Sequence, residues 1–269
     1  MAAEIKLVAS DLDHTLLTPT GELTAGTAAL IDRLAALNII FVPVSGRDLP
    51  TLSAMFPQAK WLIAHNGAIT ASHRRIVQAR LLPAAVVHAV ITTAEQLGAI
   101  PVLCRLNGTE LLEGHADQTR QLRRFFTRVT EVSAFRQVGD VAKITLLVAP
   151  ARLLQVQATV KTRFGSRLQV TAGEADALGI TAAGVNKGQA LTELAQALNV
   201  PLANVLAFGD AQNDAAMLQA AGVGMRMADG DAALAAVTSL VAPPNRLGGV
   251  DQVLKRLIAG RGTSTWKGI

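Results

Sequence analysis

Short apolar runs alternate with stretches of helical periodicity along the chain. Residues 5–10, IKLVAS, read as a buried strand that ends in two acids, Asp11 and Asp13. Residues 23–38 place Leu30, Ile31, Leu34 and Leu37 on one helical face, with Thr24 as a candidate cap. A second strand is predicted over 39–44, with Ser45-Gly46-Arg47 directly after it, and a third over 61–64, followed by the turn His65-Asn66-Gly67. Further on, the pattern predicts a helix over 188–198, a strand over 205–208, a helix over 213–221, a short strand near Val223, and helices over 231–237 and 250–258. Continuous apolar strands between amphipathic helices predict an α/β fold with a doubly wound parallel sheet covered on both faces.

The middle of the chain reads differently. It predicts helices over 83–98, 116–129 and 151–165 and strands over 100–105, 142–148 and 168–171. This block has the makings of a small α+β domain. Neither end carries a disordered linker, which favours an insertion over a tandem arrangement. The expected organisation is a core of residues 1–81 and 185–269 with an inserted block over 82–184.

Composition narrows the field. At 269 residues the chain makes one large domain or two modest ones. With 50% hydrophobic and 17% charged residues it can bury a sizeable core, and disorder is excluded as its main state. The apolar runs, such as IIFVPV and LLPAAVV, fall far short of the ~18 residues of a membrane helix. MAAEIKLVAS shows no basic leader or cleavage site, and a single cysteine, Cys104, excludes an internal disulfide and any multi-cysteine zinc site. A cytoplasmic protein is expected, with Cys104 packed in a strand. The net charge of +5 invites a nucleic-acid reading. The charges are scattered, however, and with 3% aromatics and no Tyr the chain offers few platforms for bases. Neither nucleic acid nor membrane is an expected partner.

The chemistry collects where an open α/β sheet binds its ligands, at the carboxyl ends of strands. The first strand delivers Asp11 and Asp13 there, and the second delivers Ser45 and Gly46. A later strand delivers Gly209 and Asp210, with Asn213 and Asp214 opening the next helix, and Lys187 starts another helix. Any one of these fragments is more often a cap or a turn. Four of them, in order and each beside an apolar strand or a helix start, form a far more specific pattern.

DLDHTL, VSGR, NKG and GDAQND resemble the four motifs of the haloacid dehalogenase-like superfamily, and the resemblance covers nearly the whole chain. AHNGA at 64–68 and PPNRLGGV at 243–250 look like its Cof-type subfamily. The second motif carries Ser45 where the subfamily often has Thr, which keeps the hydroxyl. The resemblance implies a core of that superfamily with an inserted α+β cap that sets specificity. It also implies a Mg²⁺-dependent phosphatase acting on a small phosphorylated metabolite, a sugar phosphate or similar. In that scheme Asp11 is the nucleophile that becomes an aspartyl-phosphate, and Asp13 is the acid and base. Ser45, Gly46, Lys187 and Asn213 bind phosphate. Asp11, the Asp13 carbonyl and Asp210 bind the metal, with Asp214 in support.

Elementary chemistry is consistent with that scheme. Clustered carboxylates repel unless a cation sits among them, and oxygen donors favour Mg²⁺ over zinc or copper. A neighbouring like charge is expected to keep Asp13 protonated and ready to give its proton to a leaving alkoxide. His14 reads as a loop position that matters through its backbone. About 30 residues separate Asp13 from Ser45, too few for a large insertion, whereas 142 positions separate Ser45 from Lys187. A phosphomutase is the alternative activity, and it would need Arg105, Arg120, Arg123 and Arg124 to hold a second phosphate. A non-catalytic phospho-ligand receptor is the alternative from another class; a pure receiver would have no use for Asp13.

Overall fold

The computed structural model describes residues 3–172 and 177–264. From the N-terminus, β1 (Ala3–Glu4) leads to β2 (Leu7–Ser10), α1 (Ala25–Ala36), β3 (Ile40–Pro43), α2 (Leu49–Met55), β4 (Trp61–Ala64) and a hairpin of β5 (Ile69–Ser72) and β6 (Arg75–Ala79). The next block comprises α3 (Ala84–Gln96), β7 (Ile100–Arg105), β8 (Gly108–Leu112), α4 (Ala116–Leu122), β9 (Val129–Val132), β10 (Val141–Leu147), α5 (Leu153–Phe164), β11 (Leu168–Ala172) and β12 (Ala177–Ala182). The chain then runs through α6 (Lys187–Ala197), β13 (Val205–Gly209), α7 (Ala215–Ala220), β14 (Val223–Met227), β15 (Val241–Ala242), α8 (Gly249–Ala259) and β16 (Thr263–Ser264).

Five strands in the order β15-β14-β13-β2-β3 form one parallel sheet. The two-residue period of a strand sends alternate side chains to opposite faces. Val8 joins the cluster built with Leu30, Leu34, Val253 and Leu257, from α1 and α8. Leu7 and Ala9 join the cluster built with Leu191, Leu194, Met217 and Leu218, from α6 and α7. Because both faces are covered, the strands read as unbroken apolar runs. Leu34 is fully buried in the first cluster; its truncation to Ala would cost about 3 kcal/mol through lost burial and an unfilled cavity. A single parallel bridge, Val44 to Ile63, carries the sheet on to β4 and the antiparallel β4-β5-β6 hairpin unit.

The chain leaves β2 for β3 and β4 on one side and returns through β13 on the other. The carboxyl end of this sheet between β2 and β13 is therefore a switch point of the topology, where two connections diverge and leave a crevice. Asp11 follows one of these strands and Asp210 the other.

A second sheet, ordered β11-β12-β10-β7-β8-β9, is antiparallel except for the β8–β9 pair. Ile144 and Leu146 of β10 pack with Leu178, Ile180, Val90 and Val160 beneath α3 and α5. Lys143, Thr145 and Leu147 alternate with them and line a cavity shared with the first sheet.

Several elements differ from expectation. The helix predicted over 116–129 stops at Leu122, and Val129–Val132 leaves it to pair with β8. The strand near 168 does not close the block, since β12 follows and takes the place beside β10. The helix predicted over 231–237 is a 3-10 turn over Ala232–Ala236, capped by Asp231, whose side chain accepts the Ala233 N–H. The elements β1, α2, β5, β6, β8, β9, β12, β15 and β16 come as additions. Residues 173–176 of the predicted insertion and the last residues of the basic tail, Lys267 among them, lie outside the described residues. Among the described residues no helix is long and apolar enough to cross a membrane.

Candidate active site

Asp11 leaves β2 almost completely buried, its N–H bonded to the Phe208 carbonyl of β13 at 3.0 Å. The chain then makes one irregular turn over Leu12–Leu16, in which Asp13 is extended and His14 left-handed, with φ of 60°. The Leu17 N–H closes the turn on the Leu12 carbonyl at 2.9 Å. Asn245, from the segment after β15, fastens this turn from outside by donating to the carbonyls of Thr15 and Leu17 at 2.8 and 2.7 Å. Thr15 in turn donates its hydroxyl to Asp210 Oδ1 at 2.9 Å.

Asp214 approaches from the turn before α7 and is fully buried. Its Oδ2 accepts the N–H groups of Asp210 and Ala211 at 3.0 and 3.1 Å. The space for its carboxylate exists because residue 209 is glycine: a Cβ there would stand 2.4 Å from the Asp214 Cβ. Lys187 enters from the first turn of α6, whose cap Asn186 accepts the Gln189 N–H at 2.8 Å. Gly188 lets α6 approach α7, since a Cβ at that position would meet the Ala216 carbonyl oxygen at 2.3 Å. Lys187 Nζ then reaches Asp214 Oδ1 at 2.6 Å and also bonds Asp11 Oδ1.

Asp11, Asp210 and Asp214 each offer an oxygen within 4.8 Å of the other two. The electrostatics follow from that crowding. Burial pushes the Asp11 carboxyl well up from its ordinary value; Lys187 opposes this, and the charges of Asp214 and Asp210 add to it. Asp210 is raised by burial and by Asp214. Burial works against the charge of Lys187, but Asp11 and Asp214 outweigh it and hold the ammonium above its usual range. Three carboxylates against one ammonium leave a net negative site of hard oxygen donors, a donor set that fits a small divalent cation such as Mg²⁺.

The Asp13 carboxylate is not part of that cluster. Arg47 holds it with a planar fork, Nε donating to Oδ2 at 2.9 Å and Nη2 to Oδ1. The sequence reading gave Asp13 a like-charged neighbour; the structure gives it a guanidinium, because the loop after β3 folds back over the turn after β2. Ser45, Gly46 and Asn213 join Asp11, Asp13 and Asp210 on the wall of a cavity of about 340 Å³. Asn213 donates to Asn66 Oδ1 at 3.4 Å. The second sheet supplies the opposite wall with Phe125, Phe126, Lys143 and Thr145. Of the arginines considered for a second phosphate, Arg105 pairs instead with Glu110 and Asp140 inside the second sheet.

Sequence reasoning missed Arg47, Thr15, Asn245 and Lys143. A signal existed for Lys143: it is the one charge in the strand VAKITLL, and a strand buried along nearly all its length tolerates a lysine only with a partner. Thr15 and Asn245 carry no such mark, because their partners are 195 and 230 residues away.

A parallel α/β core with an inserted mixed sheet and acids at its switch point defines a hydrolase of the haloacid dehalogenase-like class. The chain belongs to that family: the model of the haloacid dehalogenase-like hydrolases matches residues 8–254. An HMP-PP phosphatase of Serratia proteamaculans is 29% identical over 234 residues, 82% of this chain and 83% of the relative. Among solved structures, a protein of Streptococcus mutans superposes with a TM-score of 0.88 at 25% identity, covering 95% of this chain and 99% of that one. A subclass IIB sugar phosphatase superposes with a TM-score of 0.79 at 18% identity, over 93% and 98% of the two chains, a likeness of fold. The chain is a hydrolase of the haloacid dehalogenase-like family.

Proposed function

We propose that this hydrolase is a Mg²⁺-dependent phosphatase that hydrolyses a small phosphorylated metabolite through an aspartyl-phosphate on Asp11. The observation that carries the reading is the buried cluster of Asp11, Asp210 and Asp214 with Lys187 inside it, opening onto the cavity between the two sheets. Asp11 attacks phosphorus, its oxygen bonding as the ester P–O bond breaks, and the leaving oxygen takes a proton from Asp13. Asp13 then removes a proton from water, which attacks the aspartyl-phosphate, releases phosphate and restores Asp11. Lys187, Ser45, Gly46 and Asn213 hold phosphoryl oxygens as charge shifts between them. To give a proton to the leaving oxygen, Asp13 must open one arm of its fork with Arg47 and take up a proton on the oxygen so freed. Asp11, the Asp13 carbonyl and Asp210, with Asp214 in support, would hold Mg²⁺, which would supply the positive charge that admits a dianionic phosphate among carboxylates.

The size of the cavity supports this substrate class. A cavity of about 340 Å³ suits a single small metabolite. The relative at 29% identity is named an HMP-PP phosphatase. In this reading residues 1–81 and 185–269 are the catalytic core, and 82–184 form a cap that chooses the leaving group and hinges near Leu82-Pro83 and Gly184-Val185.

The test is phosphate release from a panel of esters. Chelator should abolish it and Mg²⁺ restore it. Asp11→Asn, which keeps the size but supplies an amide in place of a nucleophile, should remove nearly all turnover in a folded protein. Full release in chelator, or near wild-type release by the variant, overturns the reading.

A further inference from the structure

The loop that carries Ser45 is fixed by three carbonyls, and they do not all point to the same body. The Ser45 carbonyl accepts the Asn66 N–H at 2.9 Å, and the Arg47 carbonyl accepts the His65 N–H at 3.0 Å; both ties run to the turn after β4. The Gly46 carbonyl between them accepts Lys143 Nζ at 2.6 Å, from β10 of the inserted sheet. Lys143 is only 6% exposed, and its Nζ also stands 5.5 Å from the Phe126 ring centroid. A buried ammonium thus spends a hydrogen bond on a backbone carbonyl of a loop in the other sheet.

That carbonyl belongs to the peptide unit joining Gly46 to Arg47. The N–H of the same unit donates to Ser45 Oγ at 3.1 Å. With one lone pair of Oγ so engaged, the hydroxyl hydrogen is left to donate elsewhere, which is what a phosphoryl oxygen requires. The side chain beyond this unit, Arg47, holds Asp13. One peptide plane therefore links the inserted sheet to the Ser45 hydroxyl and to the root of the Asp13 fork.

We propose that Lys143 is a positioning residue, through which the inserted sheet sets the orientation of the Gly46–Arg47 peptide and with it the Ser45 hydroxyl. The proposal rests on the phosphatase reading for its kinetic arm. When the second sheet sits against the first, the ammonium fixes the plane; when it lifts, the Gly46 carbonyl loses its partner and the loop its third tie. The effect belongs to the phosphoryl side of the reaction and is independent of the leaving group.

The test compares Lys143→Met with Thr51→Val. Thr51 Oγ1 accepts the Thr127 N–H at 2.9 Å, a tie between the two bodies that bypasses the Ser45 loop. Lys143→Met should lower kcat by about tenfold or more on every ester tried, aryl and alkyl alike, with KM changed far less. Thr51→Val should keep kcat near wild type. Independently of turnover, the Arg47 backbone amide in a ¹⁵N-labelled protein should shift in Lys143→Met and not in Thr51→Val. If Lys143→Met does not fold, Lys143→Gln, which keeps a donor but shortens the reach, is read in the same two ways. An unchanged kcat, a loss confined to one type of leaving group, an equal loss in Thr51→Val, or an unmoved Arg47 amide each overturns the proposal. A wild-type protein that releases phosphate from no ester would instead sink the phosphatase reading, and the amide shift alone would then decide the role of Lys143.

Discussion

Arg47 holds both oxygens of Asp13 with one guanidinium edge, Nε to Oδ2 at 2.9 Å and Nη2 to Oδ1. The acid after the first core strand and the cation after the second are thereby a single unit. Lysine offers a point charge without the fork, so it keeps the sign and loses the geometry. Arg47→Lys is expected to preserve the fold and to lower kcat by roughly tenfold, since a free-swinging Asp13 spends less time aligned with the leaving oxygen. Steady-state phosphate release with thermal melting as the control decides it; a wild-type kcat would show that the pair is structural.

Lys187 is 1% exposed between Asp11 and Asp214. Removing it leaves two buried carboxylates with a third close by and no counter-charge. Lys187→Met should destabilise the metal-free protein by about 3–5 kcal/mol and lower kcat by about 10²-fold or more. Added Mg²⁺ should recover part of the stability and little of the rate, because a cation among the acids does not replace a donor to the phosphoryl oxygen. Urea denaturation with and without Mg²⁺ separates the two effects. A variant as stable as wild type without metal would mean that the carboxylates do not depend on the ammonium.

His65 gives a pH signature away from the acids. It is fully buried at the turn after β4, and burial with the nearby charge of Lys143 lowers its pKa to about 3. An unfolded histidine titrates near ~6.5. As pH falls below that value the unfolded chain gains a proton that the folded one refuses. The stability present above pH ~6.5 is therefore lost progressively as pH falls towards 3, at up to about 1.4 kcal/mol per pH unit for one proton. His65→Asn keeps a residue that tolerates the left-handed backbone found there, φ of 51°, and removes the titration. Its denaturation midpoint should fall less steeply than wild type between pH 6.5 and 4. Parallel slopes would show that His65 takes up its proton in the folded state.

The strands of the core were legible because burial on both faces writes an unbroken apolar run, as in LVAS and VLAFG, and the acids were legible because they end such runs. The short α2 was not: LPTLSAM has seven residues and too few turns to show a period. The hairpin of β5 and β6 hid because β6 is exposed along most of its length and its turn rests on the left-handed His73 and Arg74. Residues 116–129 misled because QLRRFF spaces its apolar positions as a helix would, while Val129–Val132 is recruited by β8. At the site, Asp11, Asp210, Asp214 and Lys187 announced themselves by position. The partner of Asp13 did not, since which side chain folds over the turn after β2 depends on how two loops from separate strands meet.

An aromatic wall stands opposite the acids. Phe125 lines the cavity with Leu122 and Phe126, and the Arg47 guanidinium lies 5.5 Å from its ring centroid. An aromatic face beside the leaving-group space should favour esters that present a flat, apolar group to it, by about 1 kcal/mol, or some fivefold. Phe125 is partly exposed, so the cost in stability of Phe125→Ala should be modest. KM for p-nitrophenyl phosphate should rise several-fold and KM for glycerol 2-phosphate by less than twofold. Lys187→Met should instead depress both substrates alike, because it acts on the phosphoryl group that they share. Equal changes on the two esters in Phe125→Ala would mean that the ring acts through Arg47 and Asp13 rather than on the leaving group, and the second sheet would lose its claim to choose the substrate at this position.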